Sequence, residues 1–295
     1  MSLAVYLPLL LPVLLAAAAR PLTTTAAPER AARALASAAV LSAAVSTASL
    51  VLLALTLLDD LPALEAREHT ASFPLPEPVP GPLAAAAAAA LAWAGWRCAA
   101  MLRRNRAVTR DLLAAGTAHD GLLVADLPEA HAVAVPAGIG RPGHVLVTAG
   151  LLRLLDRTER TAVLAHEEAH LRHRHHRTVA VAAAAAAVNP LLRPLARVVT
   201  LLVERSADEA AATAVGDRGV VARAIAKVAL SGGDRPAGGL AAGGSDVVRR
   251  VDALTRPVAG RSRRATAGVT AVVITSATAG STAVADFIAV ARAWL

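Results

Sequence analysis

Four apolar stretches, the first three joined by short polar connections and the last set off by a long inner segment, restrict what this chain can fold into. Residues 3–19 (LAVYLPLLLPVLLAAAA), 35–58, 83–102 and about 265–285 each approach the roughly 20 apolar residues that a helix needs to cross a bilayer. Aromatics make up only 2% of the sequence although 56% is hydrophobic and the mean hydropathy is +0.53, so the apolar content lies in Ala, Leu and Val tracts. Such tracts point to membrane spans rather than to an ordinary soluble core. Pro8 and Pro12 would kink the first run. A cleaved leader is the other reading of that run, and it is disfavoured because no basic residue precedes it.

The connections carry a consistent charge pattern. Residues 20–33 hold three arginines and one glutamate, whereas residues 59–82 hold five acids against the single Arg67. Arg103, Arg104, Arg106 and Arg110 follow the third run; Arg249, Arg250, Arg256, Arg261, Arg263 and Arg264 precede the fourth. Basic residues collect on the cytoplasmic side of membrane proteins. The pattern therefore predicts an outer N-terminus, an inner first loop, an outer second loop, and an inner segment over 103–264. The net charge is +8, and Lys227 is the only lysine. Because the arginines sit beside apolar tracts, the partner expected is a bilayer, and no direct nucleic-acid contact is expected. The lone Cys98 excludes an intramolecular disulfide and a Cys-based zinc site. Abundant Ala and Arg with scarce Lys fits GC-rich, bacterial coding.

Within the inner segment, GLLVADLP, HAVAVP and HVLVTAG are short β-like runs bounded by Gly and Pro. From Leu151 the pattern becomes helical, with Asp156 or Thr158 as the N-cap of ERTAVLAHEEAHLRHRH. TVAVAAAAAAV, 178–188, is too short for a span and reads as a buried or membrane-dipping helix ended by Asn189-Pro190. RVVTLLVERSADEAAATAV forms another helix, and SGGDRPAGGLAAGG reads as a loop.

His166-Glu167-Glu168-Ala169-His170 is the stretch that carries chemistry. Residues four apart share a helical face, so His166 and His170 can reach one Zn²⁺ while Glu167 lies beside it as a general base. A catalytic zinc needs three protein ligands and one open position. Glu204 and Asp208, again four apart, can supply the third ligand and a carboxylate to orient a ligand histidine. The competing reading makes Glu204, Asp208 and Glu209 solvated helix charges. Glu168 is expected to face away. His173, His175 and His176 alternate with Arg172, Arg174 and Arg177 and read as a basic membrane-surface face in preference to a second metal site. His131 and His144 are weaker candidates for stabilising an oxyanion.

AVLAHEEAHLRHRH followed by VERSADEAA resembles the membrane zinc peptidases of the glu-zincin type. The stretch HAVAVPAGIGRPGHVLVTAGLLRLLDRTERTAVLAHEEAH is similar to that group's edge strand, loop and lead-in helix, and VNPL to the turn before its second site helix. The resemblance is closest to the antirepressor and β-lactam-sensor peptidases, with the heat-shock and CAAX-prenyl-protease family related. It implies His166, His170 and Glu204 as ligands of one zinc per chain, Glu167 as base and Asp208 as support. It also implies a protein or peptide substrate, a transcriptional repressor being one such substrate. The sequence departs from the sensor members by ending at Leu295, soon after the fourth run, so an external ligand-binding domain and β-lactam sensing are not expected.

The expected fold is mainly α and integral to the membrane. About four transmembrane helices carry a cytoplasmic α+β zinc-peptidase domain with a small edge sheet and the His-Glu-x-x-His helix. Three spans fill 1–102, the peptidase domain 103–264 and the last span 265–295. The expected protein is a zinc metalloendopeptidase in the cell membrane whose substrate pairs with an edge strand at Ala132, Val133, Ala134 and Val135. A housekeeping membrane protease, a scaffold with a structural zinc, and a basic lipid- or nucleic-acid-binding protein are the alternatives. Glu167 speaks against the scaffold, because a structural zinc has no use for a base.

Overall fold

The computed structural model describes residues 7–19, 27–58, 79–114, 120–138, 140, 142–231, 244–256 and 285. The described residues begin with three α-helices: α1 (Leu7–Ala19), α2 (Pro28–Leu55) and α3 (Gly81–Ala114). Three short strands follow, β1 (Leu122–Ala125), β2 (Ala132–Val135) and β3 (His144–Thr148). Six helices complete the described chain: α4 (Ala149–Leu154), α5 (Arg157–Arg172), α6 (His175–Val188), α7 (Arg193–Val215), α8 (Arg218–Leu230) and α9 (Gly244–Thr255).

Among the described residues, two helices are long and apolar enough to cross a membrane, Pro28–Leu55 and Gly81–Val108. The described part of the first run, α1, has 13 residues, short of the roughly 20 a span requires. The fourth run lies outside the described residues apart from residue 285. The two long helices differ in what they pack on. One broad face of α2 is buried, from Ala31 and Leu35 through Ala43 to Leu52, against α1, α6 and α7. α3 leaves Leu83, Trp93, Trp96 and Leu102 exposed. Its 34 residues also run past residue 102, so the expected boundary between spans and peptidase domain falls inside one helix.

The helix expected over 178–188, buried or dipping into the membrane, is present as α6, which ends where the Asn189-Pro190 pair removes a backbone donor and bends the chain. Its alanines Ala182, Ala185 and Ala186 interlock with Leu35, Ala39, Leu192 and Leu195 in one core. Small side chains let the four helices approach closely, which is why so few aromatics suffice. The N-terminal helices α1 and α2 thus pack in one core with α6 and α7.

The sheet has the order β1-β3-β2, with β1 parallel and β2 antiparallel to β3. β3 is buried along its length and β2 lies at an edge of the described sheet. Gly150, opening α4, packs so closely under the loop before β2 that a Cβ there would overlap the Pro128 carbonyl. Asp156 caps α5 in a full capping box with Glu159, settling the choice between Asp156 and Thr158. Lys227 of α8 reaches the buried Glu159 carboxylate at 2.7 Å, tying α8 to the start of α5.

Candidate metal centre

Two helices supply the site, each through residues one turn apart. α5 presents His166 and His170, and α7 presents Glu204 and Asp208. The Nε2 atoms of the two histidines lie 3.1 Å apart. Glu204 Oε2 is 3.6 Å from His166 Nε2, and Glu204 Oε1 is 3.8 Å from His170 Nε2. A tetrahedral ion with bonds of about 2.0–2.1 Å separates its donor atoms by about 3.4 Å. The three groups thus converge with spacings that fit such an ion, and they are the one His-His-Glu group able to hold a metal among the described residues.

The outer nitrogen of His166 is also engaged: Nδ1 lies 3.0 Å from Asp208 Oδ1. Arg250, from α9, holds Asp208 in turn, with Nε 2.8 Å from Oδ2 and Nη2 2.7 Å from Oδ1. Its third nitrogen, Nη1, is 3.0 Å from Glu204 Oε2. Arg218 fixes α9 by donating to the Leu254 and Ala253 carbonyls while it pairs with Glu209 of α7.

These contacts set the charges. Burial opposes the charged form of His166, but hydrogen bonds to Asp208 and Glu204 outweigh it and raise its pKa to about 9. Burial would push Asp208 up; the Arg250 guanidinium and His166 instead hold it below the ordinary carboxylate range. Arg250 is likewise driven upward against its burial by Asp208 and Glu204. An ion pair this deep is tolerated because each charge has a partner and each oxygen a donor.

Glu167 lies between the histidines in sequence, and its Oε2 accepts a 2.8 Å hydrogen bond from the Ala134 backbone N–H. In the antiparallel β2/β3 pair, Thr148 N–H donates to the His131 carbonyl. Alternation along an edge strand then turns the N–H and C=O of Ala132 and Ala134 away from β3. Val133 and Val135 face β3 with theirs. Of the four expected edge residues, Ala132 and Ala134 turn away from β3, and the Ala134 N–H is taken by the Glu167 carboxylate.

The remaining sequence candidates divide. Glu168 is exposed and pairs loosely with Arg172, as expected. Neither His131 nor His144 joins the His-His-Glu group. The basic-surface reading of the histidine run fails at His175, which is 2% exposed. Arg174 adopts a left-handed conformation, φ 53° and ψ 41°, and this break between α5 and α6 swings His175 inward. Its Nδ1 lies 3.1 Å from His170 Nδ1. Burial and the neighbouring His173 push the His175 pKa down to about 4.

Sequence reasoning missed Arg250, which reads as one of the arginines flanking the fourth apolar run. A signal was present: Val247, Arg250, Val251 and Leu254 lie on one helical stripe, which places Arg250 on the inward face of α9.

A helix-borne His-Glu-x-x-His pair completed by a glutamate from a second helix is a donor set used by metal-dependent hydrolases. Residues 99–189 match the model of Peptidase family M48, whose members are zinc-dependent. This similarity supports a metallopeptidase hydrolase. The matched segment is less than a third of the chain; it includes His166, Glu167 and His170 and ends before Glu204, Asp208 and Arg250. No curated protein and no solved structure matches the chain.

Proposed function

We propose that the protein is a zinc-dependent endopeptidase associated with a membrane, with His166, His170 and Glu204 as the ligands and Glu167 as the general base. The observation that carries this reading is the convergence of the three donor groups, within 4.8 Å of one another, with Glu167 next to His166 in the chain. Zinc bound there would supply Lewis acidity, making water a better nucleophile and polarising a peptide carbonyl. Glu167 would take the water proton on a carboxylate oxygen and pass it to the departing nitrogen as the C–N bond breaks. Asp208, neutralised by Arg250, would keep the His166 proton on Nδ1 and leave Nε2 free for the metal. An extended substrate would lie along Ala132 and Ala134 and hydrogen-bond to the free edge of β2.

Membrane association is supported by the length and composition of α2 and α3 and by the exposed apolar face of α3. The catalytic segment then faces the cytoplasm on the charge pattern of the connections. The resemblance to antirepressor peptidases makes a transcriptional repressor one substrate to examine, beside misfolded membrane proteins.

The test compares wild type and Glu167→Gln, purified in detergent, for metal content and for cleavage of an unfolded protein substrate. About one zinc in both proteins, with cleavage by the wild type alone, is the expected result. Failure of carefully purified wild type to hold zinc would sink the reading.

A further inference from the structure

We propose that His175 is a positioning residue for His170, acting as the hydrogen-bond acceptor that fixes this ring for metal binding. The inference rests on the zinc-site reading above and adds a residue to it.

The argument starts from two nitrogens. His170 directs Nε2 toward His166 and Glu204, and its Nδ1 stands 3.1 Å from His175 Nδ1. Two ring nitrogens at that distance share one proton between them, so one donates and the other accepts. An imidazole that offers Nε2 to a metal carries its proton on Nδ1. His170 is then the donor and His175 Nδ1 the acceptor. The reverse arrangement puts the His170 proton on Nε2, where it blocks the metal. With Nδ1 accepting, the proton of His175 resides on Nε2, a buried atom with no hydrogen-bond partner among the described residues.

The protein holds His175 in place from several sides. The ring meets His170 edge-on, with centroids 4.9 Å apart, and stacks on His173 at 5.5 Å. His173 Nδ1 is itself 2.9 Å from Glu29 Oε1, at the start of α2. On an unbroken helix, residues five apart point roughly 140° away from each other, so the contact exists only because Arg174 breaks the helix at positive φ. A left-handed residue other than glycine costs about 1–2 kcal/mol. That cost places His175 against His170.

The two candidate ligands therefore rest on unlike acceptors. His166 leans on a carboxylate, Asp208, whereas His170 leans on a neutral ring. Glu167, Glu204 and Asp208 already crowd negative charge around the site, and a neutral acceptor orients His170 without adding more.

His175→Asn and His175→Leu provide the test, because the two replacements have nearly the same shape and only Asn can accept a hydrogen bond. Full-length wild type and both variants, in detergent, are titrated with zinc against a chromophoric chelator and examined for the visible absorption of the Co²⁺-loaded form. Removing a partner of this kind lowers metal affinity about 10- to 100-fold; the Leu variant should show that loss and an altered Co²⁺ spectrum. The Asn variant should stay close to wild type. Equal affinities and spectra for Asn and Leu would overturn the proposal, leaving His175 as a packing residue. A wild type that binds no zinc would instead overturn the metal-site reading on which the proposal depends.

Discussion

Arg250 and Asp208, 42 residues apart in sequence, meet through two parallel hydrogen bonds of 2.8 and 2.7 Å, with both residues buried. The pair connects α9 to α7 immediately behind His166. Truncating one member strands the other charge in the interior, which costs about 3–5 kcal/mol. Arg250→Met should lower the unfolding free energy by that amount in a denaturant titration of the metal-free protein. It should also weaken zinc binding, because Asp208 and Glu204 lose the donor that holds them. Arg250→Lys should recover only part of either loss, since an ammonium cannot make the paired contact. Unchanged stability and affinity in Arg250→Met would show that the pair is incidental.

His166, His170, Glu204 and Asp208 are legible in the sequence because each pair is spaced by four, so a helix alone puts its members on one face. Arg250 and His175 are harder to see for different reasons. Arg250 lies on a helix separated from the others by residues 232–243, and arginines beside an apolar run have a simpler explanation in membrane topology. His175 depends on one backbone break at Arg174, which nothing in RHRHH announces. The apolar runs behave similarly. Composition identifies α2 and α3 as long helices, but it does not say that α2 buries one face against α6 and α7 while α3 leaves its large side chains exposed. An alanine-rich face suits helix packing and lipid contact alike.

Protons should compete with zinc at His166. Its pKa of about 9 in the metal-free protein exceeds the ordinary 6.5, so this group's contribution to stability is complete below pH 6.5 and is lost as pH rises through 9. Zinc requires the neutral ring. Below pH 9 the apparent zinc affinity should therefore rise by about tenfold per pH unit from this group. Thermal unfolding followed across pH 6.5–9 with and without a chelator checks both trends. The metal-free protein should lose this contribution with rising pH, while the zinc-dependent gain in Tm should grow. A gain independent of pH would mean that His166 is not displaced from a protonated state.

The hydrogen bond from Ala134 to Glu167 implies a change of partner during turnover. An extended substrate laid on β2 would place a carbonyl where the Glu167 carboxylate accepts at 2.8 Å. The Ala134 contact to Glu167 would then be exchanged for one to the substrate, and the carboxylate could take a proton. Ala134→Pro removes the N–H while leaving the apolar surface nearly unchanged. Because β2 is an edge strand and this N–H points away from β3, the substitution should spare the sheet. The expected result is a cleavage rate reduced at least tenfold, about 1.4 kcal/mol in the barrier, with zinc content unchanged. Full activity in the proline variant would exclude strand addition at this position.

Trp93 and Trp96 provide a test of where the protein meets lipid. Both rings are exposed on α3, and the Arg97 guanidinium lies 4.9 Å from the Trp93 ring centre. Arg97 also donates to the Ala186 carbonyl near the end of α6 and is electrostatically coupled to Arg193 at the start of α7. Tryptophans beside arginines are typical of the membrane–water boundary, where the ring sits among headgroups and the cation meets phosphate; here that would end the lipid-crossing part of α3 near Arg97, short of the run over 83–102 expected as a span. The sequence contains three tryptophans, so replacing Trp294 with Phe leaves fluorescence from these two alone. In vesicles containing anionic lipid, bromine placed near the headgroup end of the acyl chain should quench that emission more strongly than bromine at the chain terminus. Stronger quenching from the terminus would place this part of α3 near the bilayer centre. No quenching at either depth would remove α3 from the membrane and confine the lipid-facing role to other segments.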